Sequence, residues 1–354
     1  MAVVEVTRST LSRLRSESRR TSGWAGLIYV VPALALLIVF EIWPILFAVW
    51  ISFWKWDVQP LSFIGLGNYA RLFNEGFITT DYADQVTVGE VLKSLIVTVY
   101  YVIGVVPVTI LIAFVVAYML FQPIKGRGVM RTIYFLPYVT ASVAITIVFG
   151  WMFNAQIGVV NVVMQSIGLP TQTWLEDPIP VLKRLSMWAG TGGLNDWPNV
   201  FAGPSVALLV IIVYSIWSTL GYNVVIYLAG LTEVSPEVYE AARIDGASGW
   251  QLLVDITWPL LMPSTFFLCI VNTIGAFQAF SPIYTLTRTT GMGRGEAGGP
   301  LDTTLTITVY IFRNFYERAN SVGYAAAVSL LLFFIILALT LLQFRVIGGK
   351  VHYQ

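Results

Sequence analysis

Histidine and cysteine are nearly missing from this sequence: each occurs once in 354 residues. His352 sits close to the C-terminal end, so a histidine-based metal site or catalytic triad within the chain is excluded. Cys269, alone in an apolar run, permits no intrachain disulfide and reads as a packed apolar thiol. Charge is scarce too. Asp, Glu, Lys and Arg together make up 11% of the chain, whereas a soluble domain carries about 25%. A net charge of +1 argues against a nucleic-acid partner. No Gly-x-x-x-x-Gly-Lys-[Ser/Thr] phosphate loop is present, and Gly291-Met292-Gly293-Arg294-Gly295 lacks both the lysine and the strand–helix setting. No catalytic residue, bound cofactor or metal ligand is therefore expected in this chain, and any ATP-driven work must be done by a separate subunit.

What the sequence has instead is apolar length. Hydrophobic residues make up 57% of it, and the mean hydropathy is +0.76. Apolar runs lie at roughly 25–52, 92–120, 132–153, 204–230, 262–286 and 323–344. At 1.5 Å per helical residue each is long enough for a hydrocarbon core of about 30 Å. The expected fold class is an all-α integral membrane protein with six transmembrane helices. Its parts are a basic arm at 1–23, a six-span domain at 24–345 and a tail at 346–354. Arg8, Arg13, Arg15, Arg19 and Arg20 in the arm, Lys125 to Arg131 between spans 2 and 3, and Arg345 and Lys350 in the tail place both termini in the cytoplasm of a multi-pass cell-membrane protein. Arg288, Arg294, Arg313 and Arg318 fall in a loop that the span count puts outside. A cleaved signal peptide is not expected, because the first apolar run is too long for an h-region. Pro44 is expected to kink span 1, and Trp50, Trp54 and Trp56 to form an interfacial belt. Glu41 is the one clear carboxylate inside a span, expected to snorkel outward or to pair within the bundle.

A polar island interrupts the apolar text between spans 4 and 5, at 232–262. Ser235 is a candidate N-cap with Pro236 at the first helical position and Glu237 in the first turn. Gly246 can adopt the left-handed conformation that ends a helix. Ser248 and Gln251 have capping-box spacing for a second helix, which is expected to stop before Pro259.

The text Glu240-Ala241-Ala242, Asp245-Gly246-Ala247, then Ile256 and Pro259, resembles the cytoplasmic coupling loop of binding-protein-dependent ABC importer permeases. Pro259-Leu260-Leu261-Met262-Pro263 narrows the resemblance to the carbohydrate-uptake branch, of the maltose and glycerol-phosphate type. Trp258 departs from the leucine usual before that proline. The resemblance also takes in Phe63 to Tyr69, Ile157 to Asn161, Trp174 to Pro178 and Gly298-Gly299-Pro300. It implies a type I ABC importer permease fold. It implies as partners a second related permease, an ATPase dimer that binds ATP and magnesium, an extracytoplasmic sugar-binding protein, and the lipid bilayer. The segment 179–202 is longer than the family pattern, and contact with a binding protein or a decorative loop are equally open readings of it.

Span 4 presents Ser215, Ser218, Thr219 and Tyr222 on one helical face, and span 5 presents Asn272, Gly275, Ala276 and Ala279 at the same spacing, with Gln278 nearby. Small and hydroxyl residues of this kind also serve as glue between membrane helices. Their distance from the Glu-Ala-Ala text matches the sugar-lining segments of the resembled family, which implies a substrate-lining role. With no Arg or Lys inside spans 4 and 5, a neutral mono- or oligosaccharide is expected. Two other functions compete: a secondary transporter driven by an ion gradient through Glu41, and an integral-membrane glycosyl-transfer enzyme using Asp196 or the Glu176-Asp177 pair.

Overall fold

Backbone polar groups inside hydrocarbon must be satisfied by the chain itself, so the long apolar runs become helices. The computed structural model describes residues 29–80, 86–123, 125–190, 197–289 and 297–350. The basic arm, His352, Asp196 and Gly291 to Gly295 lie outside the described residues. Helix α1 (Tyr29–Ile51) leads into a hairpin of β1 (Trp54–Trp56) and β2 (Pro60–Phe63), then α2 (Gly67–Asn74). A second hairpin, β3 (Ile78–Thr80) and β4 (Val86–Val88), precedes α3 (Glu90–Phe121). Then come α4 (Arg127–Val139), α5 (Ser142–Met152), α6 (Val159–Ser166), α7 (Val181–Trp188) and α8 (Val206–Glu233). Helices α9 (Pro236–Ile244), α10 (Gly249–Leu260) and α11 (Met262–Phe277) follow, then α12 (Ser281–Thr289), α13 (Ile307–Tyr316) and α14 (Val322–Val346).

Among the described residues four helices, α1, α3, α8 and α14, are each long and apolar enough to cross a membrane, and two bent pairs raise the number to six if each pair counts as one span. The core forms where α3 packs along α8, with α4 also against α8 and α11 against α3. Ala207, Leu208, Ile211, Tyr227 and Leu231 of α8 are fully buried there.

The structure corrects several expectations. The loop between the first two spans holds two short β-hairpins, which qualify the all-α class. The link is polar: Asn68 Nδ2 donates to the Ser52 and Trp54 carbonyls at 2.8 and 2.9 Å, and Tyr69 OH lies 2.7 Å from Ser52 Oγ. Span 3 is not continuous. Helices α4 and α5 meet at 99°: α4 runs on through Pro137, and the chain turns extended at Thr140, ψ 146°. Span 5 ends at Phe277, and α12 starts anew one residue before Pro282.

Two tryptophan–proline pairs sit within helices that run on. The helix continues through Pro44, where a kink is expected, and the second helix of the polar island does not stop before Pro259 as expected. In both cases the turn upstream widens to π geometry, over Ile38–Ile42 and Leu252–Thr257. A proline ring crowds the carbonyl four residues back and offers no N–H to it. Those carbonyls belong to Phe40 and Asp255, both inside the π turns. The wider turn accepts the ring while the helix runs on: Trp43 N bonds Ile38 O, and Trp258 N bonds Leu253 O. Glu41 lies in the first π turn, exposed and with no ion pair or hydrogen bond to any described residue. The expected pairing within this chain's own bundle is thus not found there.

Candidate functional site

The polar stripe of α8 faces the stripe of α11 across a cavity of about 470 Å³. Ser215, Ser218, Thr219, Tyr222, Asn272, Gly275, Ala276 and Ala279 all line it. Gln278 does not. It caps α11, exposed, with its N–H on the Ile274 carbonyl at 3.1 Å.

The hydroxyl protons of the α8 stripe are spent inside the helix. Ser218 and Thr219 donate to the Ser215 carbonyl at 3.1 and 2.7 Å, and Ser215 donates to the Ile211 carbonyl at 2.8 Å. A hydroxyl that donates backward keeps oxygen lone pairs free to accept. Tyr101 OH from α3 already uses Ser215 Oγ in this way, at 2.8 Å. The other two remain available toward the cavity.

Sequence reasoning missed the third wall. The α4–α5 break contributes Pro137, Tyr138, Thr140 and Ser142. Tyr138 stacks on Tyr222 with centroids 5.2 Å apart and planes 25° from parallel, an apolar ring surface with two phenol hydroxyls. The break is pinned by Thr146 Oγ1, 2.6 Å from both the Ser142 carbonyl and the Tyr214 hydroxyl. Tyr101 was legible in principle, since Ser94, Thr98 and Tyr101 repeat at helical spacing along α3 and all are buried. None of the residues lining the cavity carries a formal charge.

Asn223 was also missed, although it extends the Ser215–Thr219 row by one more turn. It is fully buried. Asn272 Nδ2 donates to Asn223 Oδ1 at 2.6 Å and to the Leu268 carbonyl at 2.8 Å, while Asn223 Nδ2 donates to the Thr219 carbonyl at 2.9 Å. This amide pair fixes α8 against α11 below the cavity. Asn272→Leu leaves the Asn223 carbonyl oxygen facing apolar surface. The expected coupling is about 0.6–1.7 kcal/mol, the average and upper limit that double-mutant cycles give for hydrogen bonds between membrane helices. Thermal unfolding in detergent, run as a double-mutant cycle with Asn223→Leu, measures it.

The second site is the helical hairpin α9–α10. Its local chemistry is as the sequence reads. Ser235 Oγ accepts from Glu237 N at 3.3 Å. Ser248 and Gln251 close both bonds of a capping box, at 2.8 and 3.4 Å. Gly246 turns the chain at φ +84°. Glu240, Ala241 and Asp245 are exposed, Ala242, Ala247 and Ile256 are half-buried, and Pro259 is exposed. Two large apolar side chains stand out from the hairpin tip: Ile244 is 86% and Trp250 72% exposed. The hairpin base is tied to α3. Trp258 meets Phe114 edge-on at 4.7 Å, and Tyr239 lies 6.4 Å from Phe121. Trp258 thereby fills the place of the usual leucine with a larger contact. Among the described residues, no three His, Cys, Asp or Glu gather as a metal site would require.

Residues 76–348 match the family described as binding-protein-dependent transport system inner membrane component. The lactose transport system permease protein LacF of Rhizobium radiobacter is 33% identical over 333 residues, covering 93% of this chain and 96% of that protein. The sn-glycerol-3-phosphate transport system permease protein UgpA of Agrobacterium fabrum is 28% identical over 329 residues, covering 92% and 95%. A crystal structure of a bacterial ABC transporter involved in the import of the acidic polysaccharide alginate has a chain that superposes with a TM-score of 0.69 at 20% identity, covering 96% of this chain and 100% of that one. That likeness establishes the fold.

Proposed function

This chain belongs to the family of binding-protein-dependent transport system inner membrane components, and on that premise we propose that it forms half of the membrane pore of an ATP-driven importer for a neutral mono- or oligosaccharide. An extracytoplasmic binding protein delivers the sugar, a second related permease completes the pore, and a separate ATPase dimer holds ATP and magnesium. With both termini in the cytoplasm and six spans, the fifth of them α11 with α10 lying outside the bilayer at its inner end, the α9–α10 hairpin falls on the ATPase side. The arm at 1–23 and the tail at 346–354 flank the pore domain on that same side.

The observation that carries the substrate class is the uncharged cavity between α8 and α11. A sugar ring has apolar faces and a rim of hydroxyls. Tyr138 and Tyr222 offer stacked ring surface, Ser218 and Thr219 offer acceptor oxygens, and Gly275, Ala276 and Ala279 leave room. An anionic substrate favours a paired guanidinium or ammonium, and the cavity lining has neither. This favours the substrate class in the lactose relative's name over those in the glycerol-phosphate and alginate names.

Coupling follows from the hairpin. Glu240, Ala241, Ala242, Asp245, Gly246, Ala247, Ile256 and Pro259 form or brace the surface that meets the ATPase. Because α9 and α10 rest on α3 through Tyr239 and Trp258, motion of the hairpin is transmitted to the cavity wall. Alternating access is then a two-state equilibrium biased by nucleotide and sugar.

Uptake by liposomes holding the co-purified subunits, supplied with the binding protein and ATP, tests the reading. Neutral saccharide is expected to accumulate and a sugar phosphate to be refused; the reverse preference rejects the substrate class. Tyr222→Ala removes from the cavity wall a phenol hydroxyl that can bond the sugar, a hydrogen bond worth about 0.5–1.5 kcal/mol. A roughly threefold to tenfold rise in the half-saturating sugar concentration is expected.

A further inference from the structure

Helices α6 and α7 are built inside out. On α6 the exposed face carries Val159, Val162 and Val163, and on α7 it carries Leu182, Leu185 and Trp188, the last 89% exposed. Asn161 and Arg184 point inward instead, while Gln165 and Ser166 at the end of α6 are exposed. Asn161, 4% exposed, donates to the Ala155 and Gln172 carbonyls, both at 2.9 Å, and accepts from Trp174 Nε1 at 2.8 Å. Arg184 on α7 donates to Gln172 Oε1 at 2.7 Å and pairs with the buried carboxylate of Asp177. Asp177 Oδ1 in turn accepts from Ile179 N at 2.9 Å. A segment surrounded by water would reverse this arrangement, with the arginine and asparagine outside and the valines and leucines within.

Depth is set by the backbone. Val181 N donates to the Pro204 carbonyl at 3.0 Å, and Pro180 bridges to Ser205. Ser205 is the N-cap of α8, its hydroxyl accepting from Leu208 N at 3.1 Å. The start of α7 therefore lies level with the end of a membrane-spanning helix. From there the exposed apolar surface continues down α8 through Leu209 and Val213.

From these observations we propose that α6 and α7 lie in the plane of the membrane, with their apolar faces sunk into the headgroup–acyl boundary of the leaflet opposite the α9–α10 hairpin. The occupant of these faces is lipid. Interfacial helices seat their apolar sides about 5–10 Å into that boundary, and tryptophan concentrates there. A binding protein that must dissociate after each delivery fits less well, since transient interfaces are no more apolar than ordinary protein surface. Helices α6 and α7 thus act as a float that holds the mouth of the cavity at the membrane surface.

The test uses the full chain with its co-purifying subunits in phosphatidylcholine–phosphatidylglycerol nanodiscs. Trp188→Cys and Val162→Cys are made singly in a Cys269→Ser background and labelled with a nitroxide. Relaxation by oxygen is compared with relaxation by a water-soluble nickel chelate, with Glu176→Cys as the reference. The expected result is a ratio of oxygen to nickel accessibility several-fold above the reference at both labels. Nickel-dominated relaxation would mean the faces stand in water or await a soluble protein. Shielding from both reagents would mean a second subunit covers them. Either outcome overturns the proposal, and neither bears on the sugar or the coupling hairpin.

Discussion

Gly221→Val is expected to cost about 3 kcal/mol of stability and to abolish uptake, because at this position helix α8 has backbone where a side chain would go. A Cβ on Gly221 falls well inside contact distance of the Tyr134 carbonyl oxygen, 2.8 Å from Phe135 Cα and 3.0 Å from the Tyr134 carbonyl carbon. A crowded side chain can change rotamer; a crowded main chain cannot. Overpacking costs about 1–3 kcal/mol, and a backbone obstacle puts this case at the upper end. Relief requires α4 to move off α8, and α4 carries Pro137 and Tyr138 of the cavity wall. Tyr138 would then leave Tyr222, the neighbour of Gly221 on α8. Thermal unfolding in detergent and uptake by proteoliposomes read the two effects separately. Gly275 is the contrast. It faces the cavity, which Gly221 does not, and an added Cβ meets nothing within 4 Å. Gly275→Ala is expected to keep or slightly raise stability, by up to about 1 kcal/mol from helix propensity, and to alter sugar affinity alone. Equal losses at the two glycines would contradict the assignment of one to packing and the other to the cavity.

The difference between these glycines is one the sequence does not display. Both sit in apolar helices within a few residues of the polar stripes, and the path of α4 against Gly221 separates them. Local features were legible because their causes are local. Ser235, Gly246, Ser248 and Gln251 act on backbone groups within a few residues, so composition and spacing identify them before any packing is known. The stripe from Ser215 to Tyr222 was legible for a related reason, since helical periodicity alone puts those residues on one face. The third wall of the cavity depends on a break at Thr140 within an unbroken run of hydropathy. Pro137 marks the neighbourhood, but the 99° turn comes from how α4 and α5 find separate surfaces, on α8 and on α12. The π turns before Pro44 and Pro259 were similarly hidden. A proline announces trouble with its i−4 carbonyl; whether the helix stops, kinks or widens depends on what the flanking turns pack against.

Gly246→Pro is expected to eliminate ATP-coupled uptake while leaving membrane insertion and assembly with the second permease intact. Proline is held near φ −65°, whereas Gly246 sits at φ +84° and donates its N–H to the Arg243 carbonyl at 3.1 Å. Both the turn and the bond are lost, and α9 and α10 can no longer share one orientation. Loss of uptake in this variant alone leaves open whether the hairpin or its docking failed, so Ile244→Asp is the sharper partner. Ile244 is 86% exposed, and its replacement disturbs no packing within the chain. If an ATPase groove receives it, a carboxylate in its place is expected to cost the about 2–4 kcal/mol typical of a central contact, roughly a 30-fold to 1000-fold loss of affinity. The measurement is co-purification of the ATPase with each variant, alongside its sugar-stimulated hydrolysis. Unchanged co-purification and unchanged uptake in Ile244→Asp would remove the hairpin tip from the coupling surface. Glu240→Lys extends the test to charge. It sits one helical turn before Ile244 on α9, exposed, so its effect should add to that of Ile244→Asp if both touch the ATPase independently and fall short of additive if they share one contact.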